Sequence, residues 1–150
     1  MTSNFDFVPE SWGETRVDAL RAEAYGRTDP RSCVFYARRV VEQVVMRVFD
    51  LERLAIPYSS DLAARLGDSG FRAAVGPEIA AKADAIRKVG NVAVHESRTI
   101  TPQTALNVLR QLHDVLTWAA YTYSTTPDDV PTGTAYDPSR IPAPPEHGSQ

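Results

Sequence analysis

The sequence predicts an all-α protein, a bundle of four main helices with short extra helices and a disordered, proline-rich C-terminal tail. Apolar residues recur at helical spacing over long stretches, and no segment alternates convincingly as a strand does. The composition then changes sharply, because six of the eleven prolines lie in the last 26 residues. We therefore divide the chain into a helical domain, residues 1–124, and an acidic, proline-rich linker or tail, residues 125–150.

The first helix is preceded by an apolar arm. Residues 4–9 contain two phenylalanines and a valine, which are too apolar for a free end, so we expect them to be ordered. Ser11 followed by Glu14 is a capping-box pattern. It predicts a first helix that opens there and runs to about Gly26.

The second helix is predicted to be central. Asp29 and Pro30 provide a cap and a first-turn proline, and the helical pattern continues to about Leu54. The apolar arc of this helix is unusually wide. The residues on the opposite side of the helix are Arg39, Gln43, Arg47 and Asp50. Arg38 and Glu42 fall inside the apolar arc, four residues apart, and are therefore expected to form a buried or half-buried ion pair.

Two short helices are predicted to follow a break at Pro57. Ser60 and Asp61 cap the first of them, which runs to about Leu66. Residues 67–70 are rich in glycine and polar residues and predict a turn. Residues 71–75 then predict another short helical segment.

Proline marks the starts of the last two long helices. Pro77 follows Gly76 and opens a helix that continues into residues 85–96. Thr101 and Pro102 open the last one, which runs to about residue 124 with its apolar residues within one half of the helical wheel.

A polar stripe runs along the helix that contains residues 85–96. Arg87, Asn91 and His95 are four residues apart and would share one face of a helix, with valines between them. Gly90 lowers helix stability by about 1 kcal/mol relative to alanine. Its presence predicts either the close approach of a neighbouring element or a local break before Asn91.

These observations define one candidate site, formed by Arg38, Glu42, Asn91 and His95, with Arg87 beside them. In a structural interpretation, the four side chains bond to one another and fix the register of two helices. In a functional interpretation, the histidine is a general acid or base and an arginine stabilises a phosphate. The residues alone favour the structural interpretation, because buried polar groups need partners in every protein.

Composition argues against several classes of protein. Residues 1–124 hold fifteen basic and fifteen acidic residues, so the domain lacks the basic excess of a typical nucleic-acid binder. DNA contact through Arg39, Arg47 and Arg53 is the least favoured reading. Cys33 is the only cysteine, which excludes an internal disulfide and fits a reducing cytoplasm. We expect no membrane span, because no apolar run approaches about 20 residues.

Motifs for cofactors and metals are missing. The chain has no phosphate-binding glycine loop, no dinucleotide fingerprint, no His-Glu-x-x-His and no cysteine pair. His95, Glu96 and His113 have no metal-ligand spacing. Cys33 lies on the apolar side of its helix, where a small thiol usually only packs. We therefore expect no cofactor and no metal.

Two motifs carry a resemblance to a known family. Arg38-x-x-x-Glu42 on a long helix, followed by Ile86-Arg-x-x-Gly90-Asn91-x-x-x-His95, resembles the helical domain of unknown function at the N-terminus of restriction-type helicase subunits. These include the motor and nuclease (R) subunits of type I restriction systems and related DEAD/DEAH-box proteins. The resemblance extends over most of residues 5–124. It implies an accessory module of a DNA-restriction or phage-defence machine, with the tail as a linker into a motor.

The same pattern is more distantly similar to the HEPN superfamily, helical bundles whose active members are ribonucleases. Their motif is an arginine followed by a polar residue, three further residues and a histidine. Asn91 and His95 match it, but Gly90 stands where the arginine is expected. Arg87 is eight residues from His95, roughly 12 Å along a helix axis. The presence of Gly90 in place of the arginine of the motif argues against nuclease activity.

Two hypotheses follow. In the first, the chain is a non-catalytic interaction module that works with a protein partner or with covalently linked helicase and nuclease domains. In the second, it is a HEPN-like, metal-independent ribonuclease that uses His95, with Asn91 and Arg87, as a homodimer.

Overall fold

The computed structural model describes residues 2–125, 130 and 136–144. Within these residues the chain forms α-helices and no strand, which confirms the all-α class. The helices are α1 (Glu14–Tyr25), α2 (Pro30–Leu51), α3 (Leu62–Gly67), α4 (Ser69–Val75), α5 (Pro77–His95) and α6 (Pro102–Tyr123). Short 3-10 turns lie at Glu10–Trp12 and Pro138–Arg140. That the bundle is of the HEPN type stays a prediction.

Helix α2 is the centre of the bundle, as its wide apolar arc predicted. It packs against α1 on one side and against α5 and α6 on the other. Its buried residues are Cys33, Val34, Ala37, Val40, Val41, Val44, Val45, Val48 and Phe49. The short helices α3 and α4 cover α5 and the C-terminal part of α2. Within the described residues, no helix has the length and apolar character needed to span a membrane.

Three of the predicted helix starts are confirmed by side-chain caps. Asp29, Asp61 and Thr101 each accept a hydrogen bond from the backbone N–H three residues later, at 3.2, 2.8 and 3.1 Å. Helices α2 and α6 also carry proline in the first turn. Each start is therefore determined locally, by an oxygen that satisfies an otherwise unpaired amide.

Two predicted boundaries are wrong. Ser11 does not cap α1: residues 10–12 form a 3-10 turn that buries Trp12, and Gly13, with φ of 55°, takes the N-cap position. Residues 67–70 do not form a separate turn. Asp68 alone separates α3 from α4, because its carboxylate accepts a hydrogen bond from the N–H of Phe71 at 3.0 Å and starts the next helix at once.

Helix α2 ends three residues earlier than predicted. The N–H of Leu54 donates to the carbonyl of Phe49 at 2.9 Å, and that of Arg53 to the carbonyl of Asp50 at 3.3 Å. This pair of bonds is a Schellman motif, which requires a left-handed residue after the helix. Arg53 supplies it, with φ of 54°.

The described part of the C-terminal segment packs on the bundle. Ile141 is only 3% exposed and Val130 is buried as well, so the expectation that everything after residue 124 lies outside the core is wrong for these residues. Ile141 fits beside Gly26, where a Cβ atom would lie 3.1 Å from its Cγ2 atom. A proline-rich composition thus does not prevent single apolar residues of this segment from joining the core.

Asn4 forms hydrogen bonds that connect the N-terminal arm and the C-terminal segment to α1. Its side-chain amide donates to Glu23 Oε2 and to the carbonyl of Asp137, both at 2.9 Å. The N–H of Asp137 donates back to Asn4 Oδ1 at 2.8 Å. The predicted ordered arm is confirmed, since Phe5 and Val8 beside Asn4 are buried.

His113 lies under this arm, in a pocket of aromatic rings. It is 4% exposed, its Nε2 atom has no hydrogen-bond partner within the described chain, and Phe5, Phe7 and Tyr136 surround its ring at centroid distances of 5.4 to 5.9 Å. Burial lowers the pKa of His113, and Arg110 and Arg140 act in the same direction, against the carboxylates of Asp114 and Glu23. Burial also raises the pKa of Tyr136 to about 12.

We expect replacement of Ile141 by alanine to lower the free energy of unfolding by about 2 to 4 kcal/mol, because a buried side chain is lost and a cavity is left. Chemical denaturation measures this change. Ile56→Ala is the matched control, since Ile56 is 53% exposed and should change stability by about 0.5 kcal/mol or less. Equal effects of the two substitutions would contradict the packing of residues 136–144.

The buried His113 predicts that stability falls on mild acidification. Its pKa is lower in the folded than in the unfolded state, so the unfolded chain takes up a proton first as pH falls below about 6.5. Stability should be constant above that pH and decrease until the lower folded pKa is reached. Denaturation of the wild type and of His113→Phe between pH 8 and pH 5 tests this; a pH dependence unchanged in the variant would contradict it.

Candidate functional site

Three of the residues singled out in the sequence meet between α2 and α5. Arg38 Nε donates to Asn91 Oδ1 at 2.9 Å, and a terminal nitrogen of the same guanidinium lies 3.1 Å from Glu42 Oε1. The side chains of Arg38 and Glu42 are 25% and 44% exposed, so the predicted pair is half-buried. One arginine thus joins a carboxylate on its own helix to an amide on the next.

Gly90 makes this contact possible. The helix continues through Gly90 without a break, and of the two readings of this glycine the close approach is the one observed. A Cβ atom at position 90 would lie 2.6 Å from Arg38 Cβ and 2.7 Å from Arg38 Cδ, well inside contact distance. The stem of Arg38 therefore occupies the space that a side chain would need.

Arg87 does not join the cluster. Its Nε atom donates to Asp84 Oδ1 at 2.9 Å, one turn earlier on α5. Burial alone would raise the pKa of Asp84, but the hydrogen bonds from Arg87 and Lys88 hold it below its usual value. Because α5 is continuous, Arg87 stays about two turns from His95, roughly 12 Å along the axis.

His95 does not join it either. It is the last residue of α5 and is exposed, and within the described residues its side chain makes no hydrogen bond or ion pair. The expectation that His95 bonds to the polar cluster is wrong, because its side chain is exposed at the last residue of α5.

Arg31 holds the end of α5, a role that the sequence did not reveal. Its guanidinium donates to the backbone carbonyls of Ala93, Glu96 and Arg98. The C-terminal carbonyls of a helix lack partners within the helix, so a cation there is favourable. Arg31 and the carbonyls that it binds are at least 62 residues apart in the chain, so no local sequence pattern predicts this contact.

A second polar cluster lies between α1 and α2. Asp18 is fully buried and accepts hydrogen bonds from Gln43 Nε2 at 2.8 Å and from Arg39 Nε at 3.1 Å. Arg21 is 3.4 Å from the other oxygen of Asp18. The side of α2 that carries Arg39 and Gln43, opposite its apolar arc, therefore faces α1. No clear sequence signal predicts this contact, because the apolar and polar residues of α1 do not separate onto two faces.

Cys33 is inert. The residue is fully buried, and burial, together with the carboxylate of Asp29, raises the pKa of its thiol to about 12. A thiolate is needed for nucleophilic attack. Its role is packing, as predicted.

The chemistry open to these groups is limited. Within the described chain, no three or more His, Cys, Asp or Glu side chains are grouped to hold a metal ion. The cation and the amide of the α2–α5 cluster are already bonded to each other. The arrangement joins two helices, and its cation is paired with the carboxylate of Glu42 and the amide of Asn91.

We expect Gly90→Ala to destabilise the protein by about 1 to 2 kcal/mol. Overpacking against the backbone-proximal atoms of Arg38 costs about 1 to 3 kcal/mol, and the better helix propensity of alanine offsets up to about 1 kcal/mol. Gly67→Ala is the matched control, since a Cβ atom at position 67 has no neighbour within 4 Å. Thermal melting of both variants measures the difference; a Gly90→Ala protein as stable as Gly67→Ala would contradict the close approach.

Comparison with known proteins places these features in a family. No curated protein matches the chain, and no solved structure matches it. The family described as Domain of unknown function (DUF4145) matches residues 21–137, which include both α2 and α5. This match covers most of the chain, and the protein therefore belongs to the DUF4145 family.

Proposed function

We propose that this chain is a non-catalytic accessory module that binds another protein, or helicase and nuclease domains joined to it, in a cytoplasmic DNA-restriction or phage-defence system. The observation that carries the proposal is the bonding of Arg38 to both Asn91 and Glu42. Each of these groups has a structural partner, so the cluster is used to fix helix register.

The separation of the remaining candidates supports the same reading. The metal-independent ribonuclease hypothesis needs a histidine and a cation at one phosphate. Arg87 is bonded to Asp84, while His95 lies exposed about two turns further on. The resemblance of Arg38-x-x-x-Glu42 and residues 86–95 to the N-terminal domain of restriction-type helicase subunits supports the choice of system.

A HEPN-like ribonuclease is the second candidate. It is favoured by the accessible imidazole of His95, which has no partner among the described residues and lies one turn after Asn91. A homodimer that brings two copies of His95 to one cleft would supply the missing cation from a partner chain.

An RNA-cleavage assay without metal ions separates the two candidates. We expect no cleavage by the wild type, by His95→Ala or by Asn91→Ala. Thermal melting in parallel reports the structural role: His95→Ala should melt like the wild type, because exposed substitutions change stability by about 0.5 kcal/mol or less. Asn91→Ala should lose about 1 kcal/mol, because Arg38 loses an acceptor.

The opposite result is equally clear. Cleavage by the wild type that is lost in an equally stable His95→Ala protein would overturn the non-catalytic proposal. The assay is repeated at high and low protein concentration, since a dimeric enzyme would lose specific activity on dilution.

A further inference from the structure

A surface cleft lies along the C-terminal half of α2. Its volume is about 770 Å³, and its lining includes Arg47, Arg53, Arg65, Met46, Leu51 and Ile56. Met46, Leu51 and Ile56 are each more than half exposed, at 57%, 51% and 53%. These three large apolar side chains form an exposed patch to which neither the fold nor the proposed function assigns a role.

The three arginines of the cleft lack carboxylate partners. Within the described chain, none of Arg47, Arg53 and Arg65 takes part in a salt bridge, whereas Arg38 and Arg39 on the same helix do. The Nε atom of Arg47 is buried without a hydrogen-bond partner, and its guanidinium stacks over Trp12 at 4.2 Å. Asp50 is the only acidic residue of the lining, so the cleft has an excess of positive charge.

Arg53 stands at a backbone position that favours glycine. It closes the Schellman motif of α2 with φ of 54°, and within the described residues it is the one non-glycine residue with positive φ. Glycine takes this conformation without the steric cost that a side chain brings. An unfavourable residue held at such a place is a reason to look for a function of its side chain.

From these observations we infer that the cleft is the docking site for an acidic, apolar peptide segment of a partner protein. Carboxylates of the segment pair with the arginines, and its leucine-like side chains pack on Met46, Leu51 and Ile56. A smaller adjoining cavity of about 110 Å³ is lined by Met46 and Leu62 together with Glu42, Ser60 and Arg65, and its apolar part gives one side chain a place to insert. The inference rests on the proposed function, because it names the surface through which the module binds.

The composition of the lining favours a peptide over a nucleic acid. A nucleic-acid groove combines many cations with stacking platforms, whereas here exposed aliphatic side chains and one carboxylate lie among three arginines. Aliphatic contact area and complementary charge together are typical of peptide recognition.

The test begins with a selection. A displayed library of short random peptides is selected on the wild-type chain, and the enriched peptides are synthesised and titrated by fluorescence anisotropy. We expect them to combine Asp or Glu with Leu, Ile or Met. Selection without enrichment, or enrichment of basic peptides, would overturn the inference.

Variants then locate the binding site. We expect Arg53→Gly, Arg65→Gln and Met46→Gln each to weaken binding of the enriched peptides by about threefold to tenfold. Arg72→Gln is the matched control, because Arg72 is an exposed arginine outside this cleft, and it should bind like the wild type. Equal affinities across all four variants would place the peptides elsewhere and overturn the inference.

Arg53→Gly also tests whether weaker binding results only from a less stable fold. Glycine suits the left-handed backbone, so this variant should melt at the same temperature as the wild type or higher while it binds more weakly. Loss of binding is then not loss of fold. A variant that melts higher and binds unchanged would show that Arg53 has no role in docking.

Other possible occupants of the cleft would give different results in these experiments. Single-stranded RNA or duplex DNA that displaces the peptides, and loses affinity steeply with salt, would overturn the inference in favour of a nucleic-acid site. A dimer in sedimentation that Met46→Gln dissociates would instead assign the cleft to a second copy. RNA cleavage dependent on His95 would remove the proposed function, whereas absent peptide binding without cleavage would remove only this inference.

Discussion

The close approach of α2 and α5 at Gly90 is the contact on which the arrangement of the polar groups depends. With no side chain at position 90, the stem of Arg38 lies directly against the backbone of α5. Its guanidinium then reaches both Asn91 and Glu42. Because α5 continues as a regular helix through this point, Arg87 and His95 lie about one turn before and one turn after Asn91, and within the described residues neither is bonded to the Arg38 guanidinium.

Helix α2 contacts each of the other five α-helices. One of its sides forms the apolar core with α5 and α6, while its polar side contacts α1 through the buried carboxylate of Asp18. Near its start, Arg31 binds the carbonyls at the end of α5. A helix held on so many sides is a rigid support, and the cleft at its C-terminal end is therefore presented by a fixed backbone.

Pairing with carboxylates distinguishes the arginines of the helix interfaces from those of the cleft. Arg38 pairs with the half-exposed Glu42 and Arg39 with the buried Asp18. Arg47, Arg53 and Arg65 lie together without a carboxylate partner in the described chain. Composition does not reveal this division, since the acidic and basic residues of the helical domain balance.

Sequence determined what depends on neighbours along the chain, and tertiary structure decided the rest. Caps such as Asp29, Asp61 and Thr101, the wide apolar arc of α2 and the Arg38–Glu42 pair all follow from spacings of three or four residues. The capping pattern at Ser11 led to a wrong helix start, because residues 10–12 form a 3-10 turn that buries Trp12.

The pairing of Arg31 with the end of α5, the contact of Asp18 with Arg39, and the packing of Ile141 beside Gly26 join residues that are distant in sequence. Such contacts depend on how the helices cross, which no local pattern encodes. The candidate site was therefore found in part from sequence, as three residues that do meet, while the exposure of His95 and the position of the cleft were decided only when the helices packed.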